Sequence, residues 1–208
     1  MVPQQTVAGF DVDGVVADAV GYVCGRLGLD PNRWTFWEPE QCYSASEAKA
    51  IRRLFGEPGV YVEAKVIWGA GSALGALTKA GVPVVFISGV PAEYAVLRQW
   101  WLERYLGDYV KDVVLFTASQ SAKHLVALEV GVTHYLDDNA AVARNMATVG
   151  IDSYLVPSRY RGGVPDGVTD ATIEQYVDAV LESHRAAKVV GRAWPVAVQQ
   201  FHRAAAGR

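Results

Sequence analysis

Cysteine is scarce in this chain. Cys24 and Cys42 are the only two in 208 residues, too few for a disulfide framework and without the paired spacing of a zinc site. That usage predicts a reducing, cytoplasmic setting. Charge of one sign is also missing: 19 Lys and Arg face 22 Asp and Glu, a net charge of −3 with no block of like residues. A nucleic-acid polymer as partner is thereby disfavoured, because its binding needs a clustered basic face. No apolar run approaches the roughly 18 residues of a membrane span. The longest candidate, 82–90, is interrupted by Pro83, Ser88 and Gly89 and reads as a buried strand. The start, MVPQQTVAGFDVDG, has no Lys or Arg ahead of an apolar stretch, so no export signal is read there. Internal repeats and low-complexity linkers are absent too.

What is present is a globular composition, 51% hydrophobic and 20% charged. A chain of this length buries about 70% of its unfolded surface as one domain, or one domain with an insertion. Short apolar runs alternate with longer helical patterns, the pattern of parallel strands joined by crossover helices. Strands are predicted at 6–10, 82–87, 112–116, 133–136 and 152–156. Helices are predicted at 71–80, 91–106, 120–130, 139–149 and about 170–186. In the second of these, Pro91 suits a first helical turn, and Tyr94, Leu97, Trp101 and Tyr105 recur at spacings of three and four, a stripe that would face the sheet. The fold class that follows is a three-layer α/β/α sandwich around a parallel sheet. The interval after the first strand is far longer than a crossover requires. Residues 16–70 are therefore read as an inserted helical cap, with helices at 17–27 and 44–55, the latter opened by Ser44 and Glu47 at capping-box spacing. The core is then 1–15 and 71–208. The role of the tail, 187–208, is open.

Chemistry concentrates at the predicted strand ends. The first strand runs into Phe10-Asp11-Val12-Asp13-Gly14. Alternation along an extended chain starts Asp11 and Asp13 on one side, and Gly14 allows a sharp departure. A second acidic pair, Asp137-Asp138, follows the apolar run HYL. Open α/β sheets place ligands at this end of their strands. If the two strands are neighbours, carboxylates ~4 Å apart repel by about 4 kcal/mol at an effective dielectric near 20, so a cation belongs among them. Mg²⁺, which takes hard oxygen ligands and keeps positions for water and phosphate, fits that requirement. Ser88 and Gly89 offer a hydroxyl and a backbone N–H to phosphate oxygens, and Lys123 can balance charge on both phosphate and aspartates.

These segments, DVDGVVAD, FISG, SAKH and YLDDN, in that order and at strand ends, resemble the four motifs of the haloacid dehalogenase superfamily of phosphohydrolases. The acid at position 13 resembles the phosphatase branch, and an insertion directly after the first motif resembles the members with a type-1 helical cap. The stretch FGEPGVYVEAKVIWGAGSAL is similar to a segment of the 5′(3′)-deoxyribonucleotidases. Where the superfamily has Thr-Ser in its second motif, this chain has Ser88-Gly89. The resemblance implies a Mg²⁺-dependent phosphomonoesterase. In it Asp11 attacks phosphorus, Asp13 is acid and then base, and Ser88 and Lys123 hold the phosphoryl group. Asp11, the backbone carbonyl of Asp13 and Asp138 hold the metal, with Asp137 acting through water or behind them. The implied substrate is a small phosphorylated molecule, a nucleoside monophosphate by preference, with a sugar phosphate or an inert phosphate-binding module as alternatives. A homodimer is among the assemblies the sequence allows.

Other residues carry two readings. Trp34, Phe36, Trp37 and Tyr61 can stack a nucleobase or form the core of the cap; Trp68 has the same ambiguity. Asp18 reads as a helix start, Trp100 and Trp101 as packing, and His124, His134, His184 and His202 as structural or surface histidines. Arg159 and Arg161 lie in a segment read as a solvated loop.

Overall fold

The computed structural model describes residues 5–110, 112–157 and 163–189. In chain order the elements are β1 (Ala8–Phe10), β2 (Ala17–Asp18), α1 (Ala19–Leu27), α2 (Ala45–Phe55), α3 (Gly59–Glu63), β3 (Lys65–Val66), α4 (Ala70–Ala80), β4 (Val84–Ser88), α5 (Ala95–Leu106), β5 (Leu115–Thr117), α6 (Lys123–Glu129), β6 (His134–Asp137), α7 (Ala140–Thr148), β7 (Asp152–Leu155), β8 (Val168–Asp170) and α8 (Ile173–Val189). Six strands form one sheet in the order β5-β4-β1-β6-β7-β8, and every neighbouring pair is parallel. β1 lies between β4 and β6, with Phe10 level with Phe86 and Leu136. The end of β1 is thereby flanked by the ends of the strands that carry Ser88 and Asp137.

Side-chain parity explains the two apolar layers. Ala8, Phe10, Val84, Phe86 and Leu136 face one side, where Leu74 and Leu77 of α4, Trp101 and Leu102 of α5 and Tyr176 and Val180 of α8 cover them. Val7, Val85, Ile87 and Tyr135 face the other, against Ala127 of α6 and Val142 and Met146 of α7. Both faces are buried, which is why the central strands read as unbroken apolar runs. Gly9 belongs to the second face, where a Cβ would stand 2.5 Å from the Tyr135 ring. The sheet with helices on both sides is the α/β/α sandwich the sequence predicts.

Three local expectations are corrected. β8 is an additional strand; its VTD has no apolar run because it is a three-residue edge strand with exposed positions. The first cap helix begins at Ala19, since Ala17 and Asp18 pair with Val66 and Lys65 in a two-stranded antiparallel ribbon. Asp18 then caps α1 by accepting from the Gly21 N–H at 2.8 Å. The stripe of α5 is rotated: Arg98, Trp101, Leu102 and Leu106 are its buried residues, whereas Tyr105 is 43% exposed.

Between β2 and β3 the chain is helical and has its own apolar cluster, with Val20, Val23, Trp34, Tyr43, Ile51, Leu54, Val60 and Tyr61 buried together. Ser44 and Glu47 form the capping box at the start of α2. Trp101 packs in the main core and donates its Nε1–H to the Ala64 carbonyl at 2.8 Å, while Trp100 is 46% exposed. His134 and His184 contact Thr133 and the Ala80 carbonyl; Arg159, Arg161 and His202 lie outside the described residues. None of the described helices is long and apolar enough to cross a membrane.

α8 is fastened to the sheet by the Tyr176 hydroxyl, fully buried and within 3.0 Å of the Gly9 carbonyl and 2.9 Å of the His134 carbonyl. Tyr176→Phe removes that donor, and we expect a loss of about 1–2 kcal/mol in urea denaturation, with the far-UV spectrum unchanged.

Candidate active site

Asp11 follows β1 and remains in register with β6, its N–H donating to the Leu136 carbonyl at 2.9 Å. Its Oδ1 accepts from the Val12 N–H at 2.7 Å, and its Oδ2 lies 2.7 Å from Lys123 Nζ. Asp137 ends β6, with Oδ2 at 3.0 Å from the same ammonium and Oδ1 accepting from the Asn139 N–H at 2.8 Å. Lys123 is the first residue of α6, on the side of the sheet that parity assigns to Asp11 and Asp137, and it is fully buried. Asp138 comes beside them because the chain after Asp13 turns away at once. Gly14 has φ +82°, and a Cβ there would lie 2.0 Å from Asp138 Oδ2. Only glycine accommodates both the backbone and the neighbour.

Asp11, Asp137 and Asp138 each offer an oxygen, all within 4.8 Å of one another. Asp13 joins from the other side, paired to Arg98 Nη2 at 2.5 Å. Four carboxyl groups therefore face two cations, Lys123 and Arg98. Burial raises the Asp138 carboxyl well above the usual range, and the charges of Asp137 and Asp11 push it further. Burial likewise raises Asp137, to about 7, against the opposing pull of Lys123. Asp13 is also raised, by burial first, with Arg98 working against it. For Lys123, burial favours the neutral amine, yet Asp11 and Asp137 outweigh it and hold the ammonium above its ordinary value.

The donor set fits a divalent cation. Asp138 Oδ1 is buried without a hydrogen-bond partner, a costly state for a carboxylate oxygen. The excess of two negative charges is the charge such an ion would balance, and all the available donors are hard oxygens. Asp11 and Asp137 each have both oxygens engaged, Asp11 by Val12 and Lys123 and Asp137 by Asn139 and Lys123, whereas Asp138 Oδ1 has no partner among the described residues.

A cavity of about 340 Å³ opens above this cluster, with Asp11, Asp13, Gly14 and Asp138 at its floor. Gly89 and Val90 border it; Ser88 and Lys123 lie beneath, both fully buried. The Ser88 Oγ accepts from the Val90 N–H at 3.2 Å. Among the predicted aromatics, Trp34, Trp37 and Tyr61 line the cavity and Phe36 does not. Trp34 and Tyr61 are buried, so they serve the helical cluster and the cavity wall together, while Trp37 is 41% exposed. Trp68, 88% exposed, belongs to neither.

Sequence reasoning missed Arg98, Gln120 and Arg52. Gln120 and Arg52 also line the cavity, the latter held by Glu38 and Glu40. Arg98 was legible in principle, because it lies three and four residues before Trp101 and Leu102, on the same helical stripe. Nothing in the spacing marks Gln120 or Arg52.

Two outcomes follow. Lys123→Met leaves Asp11 and Asp137 without their shared cation, and chemical denaturation should show a loss of about 3–5 kcal/mol. A carboxyl whose native pKa is raised binds its proton more tightly folded than unfolded. The stability this gives is complete below the unfolded value and is lost as pH rises through the native one. With metal chelated, the melting temperature of the wild type should fall more between about pH 4 and about pH 7 than that of Asp137→Asn, a window set by the Asp137 shift from 3.8 to about 7.

No protein-family model matches the chain, and no curated protein matches it. Solved structures do. D,D-heptose 1,7-bisphosphate phosphatase from Burkholderia thailandensis is similar over 85% of this chain and 99% of its own, at 13% identity and a TM-score of 0.53. The enzyme of the same name from B. bronchiseptica, complexed with magnesium and phosphate, is similar over 86% and 99%, at 15% identity and 0.56. A dehalogenase is similar over 86% and 98%, at 15% identity and 0.57. The chain has the α/β sandwich fold of the haloacid dehalogenase type.

Proposed function

We propose that this protein is a Mg²⁺-dependent phosphomonoester hydrolase that acts through an aspartyl phosphate, and that its substrate is a nucleoside monophosphate. The observation that carries the reading is the setting of Asp11. Its carboxylate is oriented by the Val12 N–H and by Lys123, lies within reach of the Asp138 oxygens, and opens on a walled cavity that also contains Asp13. Structural neighbours that are phosphatases, one of them holding magnesium and phosphate, support it.

Asp11 attacks phosphorus while the bond from phosphorus to the leaving oxygen breaks, and Asp13 supplies the proton that this oxygen takes up. Asp13, now a carboxylate, then removes a proton from water as its oxygen attacks the aspartyl phosphate. The Asp11–phosphorus bond breaks, inorganic phosphate leaves and Asp13 is protonated again. Lys123 holds the position of Asp11 and balances negative charge; the Gly89 N–H and the Ser88 region cradle phosphate oxygens. A Mg²⁺ ion held by Asp11, Asp138 and the Asp13 carbonyl supplies charge neutralisation and a template for the phosphate oxygens.

Residues 16–70 are proposed as the cap that closes over this floor and selects the leaving group. The cavity walls favour a nucleoside: Trp34, Trp37, Phe55 and Tyr61 present rings, and Val20 and Ile51 present aliphatic surface. Flat rings suit a base better than a polyhydroxylated chain, and Glu38, Arg52 and Gln120 among them supply polar groups. The names of the heptose phosphatase neighbours give the competing reading, a sugar phosphate. Turnover of a nucleotide panel set against sugar phosphates decides between them, and hydrolysis of sugar phosphates alone sinks the nucleotidase reading. We expect Asp11→Asn to lose at least about a thousandfold in activity while keeping its fold by circular dichroism, and chelation to abolish turnover until Mg²⁺ is restored.

A further inference from the structure

The stripe of α5 that packs on the core is apolar except at one place. Arg98 is fully buried beside Trp101, Leu102 and Leu106. Its Nη2 lies 2.5 Å from Asp13 Oδ1 and donates to the Val60 carbonyl of α3 at 3.3 Å. The guanidinium carbon sits 5.2 Å from the Tyr61 ring centre and 5.1 Å from that of Trp101. Nε and Nη1 are buried with no hydrogen-bond partner among the described residues.

Packing alone does not account for such a residue. A leucine or methionine would fill the stripe without two unsatisfied N–H groups and without a permanent charge. General neutralisation of the acid cluster does not account for it either. Lys123 takes Asp11 and Asp137, while the ion pair of Arg98 among the described residues is with Asp13. The two aromatic rings and the α3 carbonyl fix the plane of the guanidinium, so it holds one carboxylate oxygen in a set direction. The Asp13 side chain remains 26% exposed and lines the cavity.

We infer that Arg98 is the positioning residue for Asp13, fixing the carboxyl group so that it meets the leaving oxygen of the substrate. The inference rests on the role of Asp13 given under the proposed function. Arg98 itself transfers no proton; the proton passes from Asp13 to the leaving oxygen as the phosphorus–oxygen bond breaks. Because the same guanidinium touches α3, the seating of that helix and the direction of Asp13 are set by one group.

The test uses two substrates of nearly equal shape, p-nitrophenyl phosphate, whose leaving group needs little protonation, and phenyl phosphate, whose leaving group needs it. General-acid help is worth on the order of a hundredfold or more. We expect Arg98→Met to lose kcat/KM, which reports departure of the leaving group and not the later hydrolysis of the aspartyl phosphate, about tenfold or more beyond its loss on p-nitrophenyl phosphate when phenyl phosphate is the substrate. Arg98→Lys, which keeps a cation but not the planar fork, should show the same pattern more weakly. In an Asp13→Asn background either change should cost nothing further in kcat/KM. Equal losses on both substrates, or full additivity with Asp13→Asn, overturn the inference. Failure of both variants to fold does so too, by making Arg98 a structural residue. A wild type that hydrolyses neither aryl phosphates nor nucleotides removes the phosphatase reading itself, a separate result.

Discussion

A single ammonium group, that of Lys123, stands between two carboxylates that arrive on different strands. Asp11 follows β1 and Asp137 ends β6, and both sit at full burial or close to it. Each charge would be costly alone in that setting, and the three are compatible only as a bonded set. The set is placed by the sheet. β1 and β6 are hydrogen-bonded neighbours, and parity turns Asp11 and Asp137 toward the layer that contains α6. Lys123 then reaches them because it opens that helix. A one-residue slip of either strand would turn its acid to the opposite layer and leave the ammonium short of a partner.

Around this set the molecule concentrates negative charge instead of dispersing it. Asp138 is brought in by a turn that only Gly14 permits, and it arrives with an oxygen that no described residue satisfies. Asp13 receives its own cation from the far side of the sheet, through α5. The floor of the cavity is thus electrostatically incomplete, while its walls combine rings and aliphatic surface with Glu38, Arg52 and Gln120.

Much of the architecture was written in local pattern. The unbroken VVFI of β4 announces a strand covered on both faces, and Ser44 with Glu47 marks the start of α2. Asp11, Asp13, Asp137 and Asp138 stand out as a set in register with Ser88 and Lys123 at strand ends, since a lone acid after an apolar run, such as Asp18, serves as a helix cap. β8 left no such mark, since an exposed edge strand of three residues needs no apolar side chains. The stripe on α5 differs from the predicted Tyr94, Leu97, Trp101 and Tyr105 because its buried face includes an arginine, Arg98. The partner that makes its burial tolerable, Asp13, lies 85 residues earlier, and periodicity is blind to pairings across that distance. Trp34 and Tyr61 proved to be core and cavity wall together, a combination that pattern alone presents as a choice.

The ribbon of β2 and β3 has a bearing on how such a molecule can change. It brings the two ends of the intervening helical stretch side by side, with Ala17 opposite Val66 and Asp18 opposite Lys65, at the ~5 Å separation of adjacent strands. A loop of two residues could bridge that gap. Everything between can therefore grow, shrink or be exchanged without displacing a sheet strand, so under the proposed function selectivity for the departing group is free to diverge while the carboxylate floor stays constant.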